Sequence, residues 1–214
     1  MKKTSTVLLF ALLACGIVHA QTWEISVGPS YTRFGGQRLG SISTQNKQDD
    51  DTKLKAKYGY GARLTVNSPG YYGHEFSYFI NYADLTTKTR PDEKLPDYVV
   101  QLQDRIRVQE AAYNFLLYMM PKGERWRPYL TGGVQFHQYG APNFDEWAQG
   151  KSRNYGANYG GGIKIKLFEH ALIRADIRHY LGGKPYDLTY RDETQFSGGM
   201  FQQFEGSLGL SIGF

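Results

Sequence analysis

Cysteine is almost missing from this chain: Cys15 is the single one, and it lies inside an apolar run near the N-terminus. Disulfides, cysteine-ligated metals and thiol nucleophiles are thereby excluded for the rest of the sequence. Long hydrophobic runs are missing too. After residue 20 nothing approaches the roughly 18 apolar residues that a membrane helix needs, and the mean hydropathy is −0.51. Charge of one dominant sign is also lacking. The formal net charge is +5 and dispersed along the chain, which excludes a nucleic-acid footprint. Glycine and tyrosine, by contrast, are plentiful at 25 and 17 residues. Glycine suits bends and crowded interiors, and tyrosine suits boundaries between water and an apolar phase.

The first twenty residues read as a leader. Lys2 and Lys3 precede the apolar run Val7 to Val18, and Val18-His19-Ala20 supplies residues a signal peptidase accepts. Cleavage is expected between Ala20 and Gln21, leaving residues 21–214 as one mature domain with a net charge of +3. The run is too short to anchor the chain in a bilayer. A lipoprotein leader ending at Cys15 is a second reading, opposed by Leu13 and by the continuation of the run past Cys15.

The last residues show the organisation of the rest. Phe204, Leu208, Leu210, Ile212 and Phe214 share one parity, and Glu205, Ser207, Gly209, Ser211 and Gly213 share the other. Strand side chains alternate between faces, so one side is apolar and the other small and polar. In a transmembrane barrel the apolar parity faces lipid and the polar parity faces the lumen. A soluble sandwich also has alternating strands and is the competing architecture. Eight strands are predicted: from Trp23 to Phe34, Lys57 to Val66, Tyr71 to Tyr82, a fourth that begins near Val99 and is clearest from Gln109 to Met119, Trp126 to Tyr139, Asn154 to Leu167, Ala171 to Tyr180 and a last one ending at Phe214. Asn67-Ser68-Pro69-Gly70, Pro121-Lys122-Gly123-Glu124 and Phe168-Glu169-His170 are tight turns. Long polar loops fill the other connections, including a charged one from Thr86 to Asp97. Alternating long and short connections fit an antiparallel barrel with both termini in the periplasm. Trp23, Tyr71, Tyr72, Tyr118, Trp126, Tyr129, Phe168 and Phe214 cluster near the short turns, where an aromatic girdle belongs.

The stretches Tyr113-Asn114-Phe115-Leu116-Leu117-Tyr118, Arg127-Pro128-Tyr129-Leu130-Thr131-Gly132-Gly133-Val134 and Leu172 to Tyr180, with the last strand, resemble the small OmpA/OmpX-type outer-membrane barrels, the porin-family barrel domains. The likeness covers residues 21–214. It implies an all-β, eight-stranded, antiparallel up-and-down transmembrane barrel in the outer membrane of a Gram-negative bacterium. Its partners would be outer-membrane lipid and the barrel assembly machinery, with an extracellular ligand held by the outer loops, no nucleic acid, and a monomeric state. Ser207, Gly209, Ile212 and Phe214 resemble the signal that this machinery reads.

By parity the lumen receives five acids and five bases: Glu24, Glu75, Glu110, Asp176 and Glu205, with Arg63, Lys164, Lys166, Arg174 and Arg178. An eight-stranded barrel leaves room only for side chains, so these charges are expected to neutralise one another as a plug; an ion pathway is the alternative. Gln135 and His137 share the lumenal parity, and a hydrogen-bonded histidine is expected rather than a base. The outer-membrane lipid A deacylases, which resemble this fold, use a histidine and a serine two positions apart. His74, His137, His170 and His179 are followed at that spacing by Phe76, Tyr139, Leu172 and Leu181, and no Gly-x-Ser-x-Gly occurs. Asp49-Asp50-Asp51 lacks the spacing of a calcium loop and reads as a solvated patch. Trp147, Tyr186, Tyr190 and Phe196 put aromatics in the outer loops, either as a binding surface or as loop packing. The sequence thus points to a non-enzymatic barrel without cofactor or metal, with a structural or surface-interaction role. A narrow transport channel is the first alternative and a lipid-modifying enzyme the second.

Overall fold

A computed structural model describes residues 22–35, 39, 52–89, 100–144, 147, 150–186, 188 and 200–214. The expected cleavage site at Ala20 and Gln21, the Asp49–Asp51 patch, Tyr190 and Phe196 lie outside them. Alternating side chains drive nine strands: β1 (Thr22–Phe34), β2 (Lys53–Lys55), β3 (Lys57–Asn67), β4 (Tyr72–Thr89), β5 (Val100–Tyr118), β6 (Trp126–Tyr139), β7 (Ser152–Lys166), β8 (Ala171–Gly182) and β9 (Phe201–Gly213). Eight of them close on themselves in the order β4-β3-β1-β9-β8-β7-β6-β5, with β5 returning to β4. Every neighbouring pair is antiparallel. Closure satisfies the backbone hydrogen bonds and removes the free edges, the condition for strands to cross lipid.

The ladder fixes the shape. From Glu24, successive partners Thr65, Glu75, Asn114, Gly133, Asn158, Tyr180 and Gln203 lead back to β1 at Phe34. The walk returns ten residues further along the strand, and such a stagger tilts the strands roughly 35–45° from the barrel axis. All these positions point inward, so the walk also traces one helical row of lumenal side chains.

The strands differ from expectation at the end carrying the long connections. β4 does not stop at Tyr82 but runs to Thr89, through residues expected to be loop. It pairs with β5 along its whole length. Its outward residues Phe76, Tyr78, Ile80 and Tyr82 give way to Asp84 and Lys88, while inward Ala83 and Leu85 are fully buried. The alternation therefore continues with its polarity reversed, and losing the outward apolar residues does not end the strand. β2 pairs with this extension, Lys53↔Thr86 to Lys55↔Asp84. The ladder resumes at Gly59↔Asn81 with one extra residue on the β2–β3 side, a β-bulge that bends the strand at Ala56.

At the other end three short turns join β3 to β4, β5 to β6 and β7 to β8. Gly123 has φ +106° with no other heavy atom near where a Cβ would lie. Backbone handedness, not crowding, therefore makes glycine the favoured residue there. Trp23, Tyr71, Tyr72, Trp126, Phe168 and Phe214 are exposed near this end as a girdle. Tyr118 and Tyr129, grouped with them by sequence, are instead buried in the lumen, because their parity is that of Asn114 and Thr131.

Candidate functional site

The lumen holds the only extensive buried charge network among the described residues, and it is built in layers. At its centre Glu75 on β4 accepts hydrogen bonds from Arg174 Nη1 at 2.7 Å and Arg178 Nη2 at 2.5 Å, both on β8. Four steps round the sheet separate β4 from β8 in either direction, so these contacts span a diameter. Asp176 takes Arg174 in a bidentate pair, Nε and Nη2 each at 2.8 Å, and also accepts from Arg178 at 3.3 Å. Tyr129 donates to Asp176 while receiving Arg174 Nη2 at 2.7 Å. Arg63 on β3 closes the cluster, 3.6 Å from Glu75, 3.9 Å from Asp176 and 3.5 Å from Glu205, and donates to Ser207 at 2.8 Å. Phe79 lies beneath its guanidinium, 4.3 Å away. Asn81 donates to the other oxygen of Glu205.

Towards the short turns lies a second layer. Lys164 Nζ donates to Glu24 at 2.6 Å and to the Tyr118 hydroxyl at 3.0 Å, and Asn67 also donates to Glu24. Arg127 stacks on Tyr118 at 3.5 Å and donates to the carbonyls of Met120 and Gly70, tying two turns together. Below this layer a vestibule of about 320 Å³ opens outward between Trp23, Lys122, Lys166, Phe168 and Phe214. Lys166, expected in the network, is exposed at this rim, because its strand ends there. The other nine predicted charges are buried.

Towards the long connections the third layer pairs Glu110 with His137, Oε2 to Nε2 at 3.0 Å, while Gln203 donates to the same oxygen. His137 stands edge-on to Tyr180 and stacks on Tyr139, where the polar lumen ends. Above it Phe34, Leu54, Leu85, Ile106, Val108 and Phe201 form an apolar cap inside the extended mouth. Trp147 packs edge-on against Tyr186, which donates to the Gly140 carbonyl. Burial there pushes the Tyr186 phenol above its ordinary pKa. Of the four loop aromatics, these two serve packing.

Asn114, Thr131, Gln135 Oε1, Asn158 and Arg178 Nη1, with Thr32, Ser77 and Gln203 Oε1 on the facing strands, have no hydrogen-bond partner within the protein, the polar surroundings that internal water needs. No cluster of three metal-ligating side chains exists among the described residues. Ser207 accepts a hydrogen bond from Arg63. Ser207 and Gly209 face inward, while Ile212 and Phe214 are exposed on the outer wall. Sequence reasoning missed Asn67, Arg127, Tyr129, Tyr180 and Gln203, although their parity with the charged set was the available signal.

Residues 8–210 match the family described as outer membrane protein beta-barrel domain. The chain belongs to that family. No curated protein matches the sequence. Solved structures with the same architecture include the outer membrane protein OprG from Pseudomonas aeruginosa, at 15% identity and TM-score 0.60 over 91% of this chain and 96% of that one. The N-terminal β-barrel domain of Pseudomonas aeruginosa OprF matches at 14% identity and TM-score 0.53, covering 91% and 98%. Ail, the attachment invasion locus protein of Yersinia pestis, matches at 13% identity and TM-score 0.50, covering 91% and 99%. At these identities the likeness is one of fold. The family match places the chain in the outer membrane.

Proposed function

We propose that this outer-membrane barrel is a closed, non-enzymatic wall element, exported by a cleaved leader and inserted as a monomer by the barrel assembly machinery. Its termini and short turns face the periplasm, and its long loops act at the cell surface as a structural or interaction platform. The carrying observation is the cross-bracing of the lumen. Arg174 and Arg178 reach Glu75 across the full diameter, and the apolar cap stands over the same channel. Three arginines shared among three carboxylates leave little free charge to attract a permeating ion, and moving one group would leave buried charge uncompensated. A wide channel would need an open lumen biased to one sign.

Conductance across planar bilayers tests the reading. The folded chain should give no steady unitary current, and trimming the long loops should not create one, because the ionic layers remain. Reproducible ion-selective conductance from the intact chain would replace this reading with that of a narrow channel.

A further inference from the structure

Of the five buried lysine and arginine side chains among the described residues, four are held in ion pairs: Arg63, Lys164, Arg174 and Arg178. Arg127 is the fifth, and no carboxylate among the described residues pairs with it. Its Nε and Nη2 donate to the carbonyls of Met120 and Gly70 at 3.2 and 2.9 Å, and Tyr118 stacks against its face. These contacts fix the guanidinium but leave its charge uncompensated and its Nη1 unused. Arg127 and Lys164 both line the vestibule of about 320 Å³ at the short-turn end. Lys164 has its own carboxylate in Glu24, to which Asn67 and Ser26 also donate. The floor of the vestibule therefore carries one positive charge more than it neutralises. The rim does not repeat this excess. Lys122 and Lys166 meet Glu124, Glu169 and the carboxyl group of Phe214 there, all on exposed residues, with the imidazole of His170 beside them. Trp23, Phe168 and Leu172 add apolar wall.

We propose that this vestibule binds a small amphipathic monocarboxylate, its carboxylate on Arg127 and its apolar body between Trp23, Phe168 and Phe214. Such a site goes beyond the wall-element role and holds whichever way the barrel faces. A buried guanidinium without a counter-charge calls for an anion, because desolvated charge is costly until it is paired. Arg127 presents its remaining N–H donors on a plane that two carbonyls already orient, the arrangement a carboxylate oxygen accepts. One unit of excess charge at the floor matches one carboxylate. A phosphomonoester brings nearly two charges, and the second would meet Glu124, Glu169 and the Phe214 carboxyl group at the rim. The walls supply the other half of the specificity. Apolar surface round a few placed polar groups takes a ligand with an apolar body.

The folded full chain in lipid nanodiscs is titrated with phenylpropionate, and with phenylpropanol, phenyl phosphate and acetate as comparison probes, by calorimetry. Phenylpropionate should bind saturably at one site. Each comparison probe lacks one matched feature and should bind roughly tenfold more weakly or worse. Arg127→Gln should weaken phenylpropionate roughly tenfold or more, and Arg127→Lys, which keeps the charge, should recover most of the loss. Arg107→Gln at the far end of the barrel should change nothing. Because Arg127 also ties two turns together, a second readout leaves it in place. In a chain carrying Trp126→Phe and Trp147→Phe, the remaining Trp23 should be quenched by para-bromophenylpropionate, and excess phenylpropionate should restore its emission. Full binding by Arg127→Gln, equal binding of phenylpropanol or acetate, or Trp23 left unquenched would overturn the proposal and make Arg127 a tie between turns alone. Tighter binding of phenyl phosphate would overturn the match to a single negative charge, and the proposal with it.

Discussion

Inside the membrane-spanning part of the barrel the polar groups point inward and the apolar groups outward; a few residues higher the same strands do the opposite. On β5 the outward row Leu117, Phe115, Tyr113 becomes Arg107, Arg105, Gln103, while the inward row Asn114, Ala112, Glu110 becomes Val108 and Ile106. The backbone pattern is continuous through the change. What changes is the solvent outside. Against lipid, apolar residues belong on the outer wall and the lumen takes the polar ones. Against water, the hydrophobic effect restores the ordinary arrangement and places Leu85, Ile106, Val108 and Phe201 within. One closed sheet thus contains an inverted protein and an ordinary one, joined at Tyr82 and Gln109.

The comparison can be broken by mutation, and the lumen should break hardest. Replacing Asp176 with Ala removes the bidentate partner of Arg174 and leaves three arginines around Glu75. Unfolding stability should fall by roughly 3–5 kcal/mol, less where water enters. Urea titration followed by the heat-dependent shift in gel mobility reads the loss. It should be global, because the network joins β3, β4, β8 and β9. A change under about 1 kcal/mol would show that the network is not a brace.

Leu85→Ala attacks the other region. It should cost about 2–4 kcal/mol through the cavity it leaves, but the loss should be local. Hydrogen exchange should quicken at the β4–β5 extension, while protection at Glu75 and Arg174 stays as in the wild type. Equal loosening of both regions would show that cap and lumen form a single cooperative unit. Lys57→Gln should have the smallest effect. Lys57 and Asp84 are both partly exposed, and such a surface pair contributes at most about 1 kcal/mol. A double-mutant cycle with Asp84→Asn measures it, and a coupling well above that would mean the pair is less hydrated than its exposure implies.

The two regions were unequally legible in the sequence. Alternation was readable on every membrane-crossing strand, so closure, strand count and the lumenal parity of Glu75 or Arg174 followed. The extension of β4 was not readable, since Asp84 and Lys88 where Phe76 and Tyr78 had stood look like the start of a loop. Parity alone also gives no height: Lys166 has the lumenal parity but sits at the rim. The pairing of Glu75 with Arg174, 99 positions away, depends on the ten-residue stagger, which no local pattern encodes. Tyr118 and Tyr129 were misread because interfacial and lumenal tyrosines have the same composition signature near a turn.

The polarity switch at Tyr82 can be measured directly. Single cysteines at Phe76, Tyr78, Tyr82, Asp84 and Lys88, each carrying a nitroxide in the barrel reconstituted into bilayers, report the outer wall position by position. Relaxation by oxygen should dominate from Phe76 to Tyr82, and relaxation by a water-soluble nickel complex should dominate from Asp84 to Lys88. Lipid-like relaxation persisting to Lys88, or water-like relaxation already at Tyr78, would contradict the division of this barrel into an inverted wall and an ordinary cap.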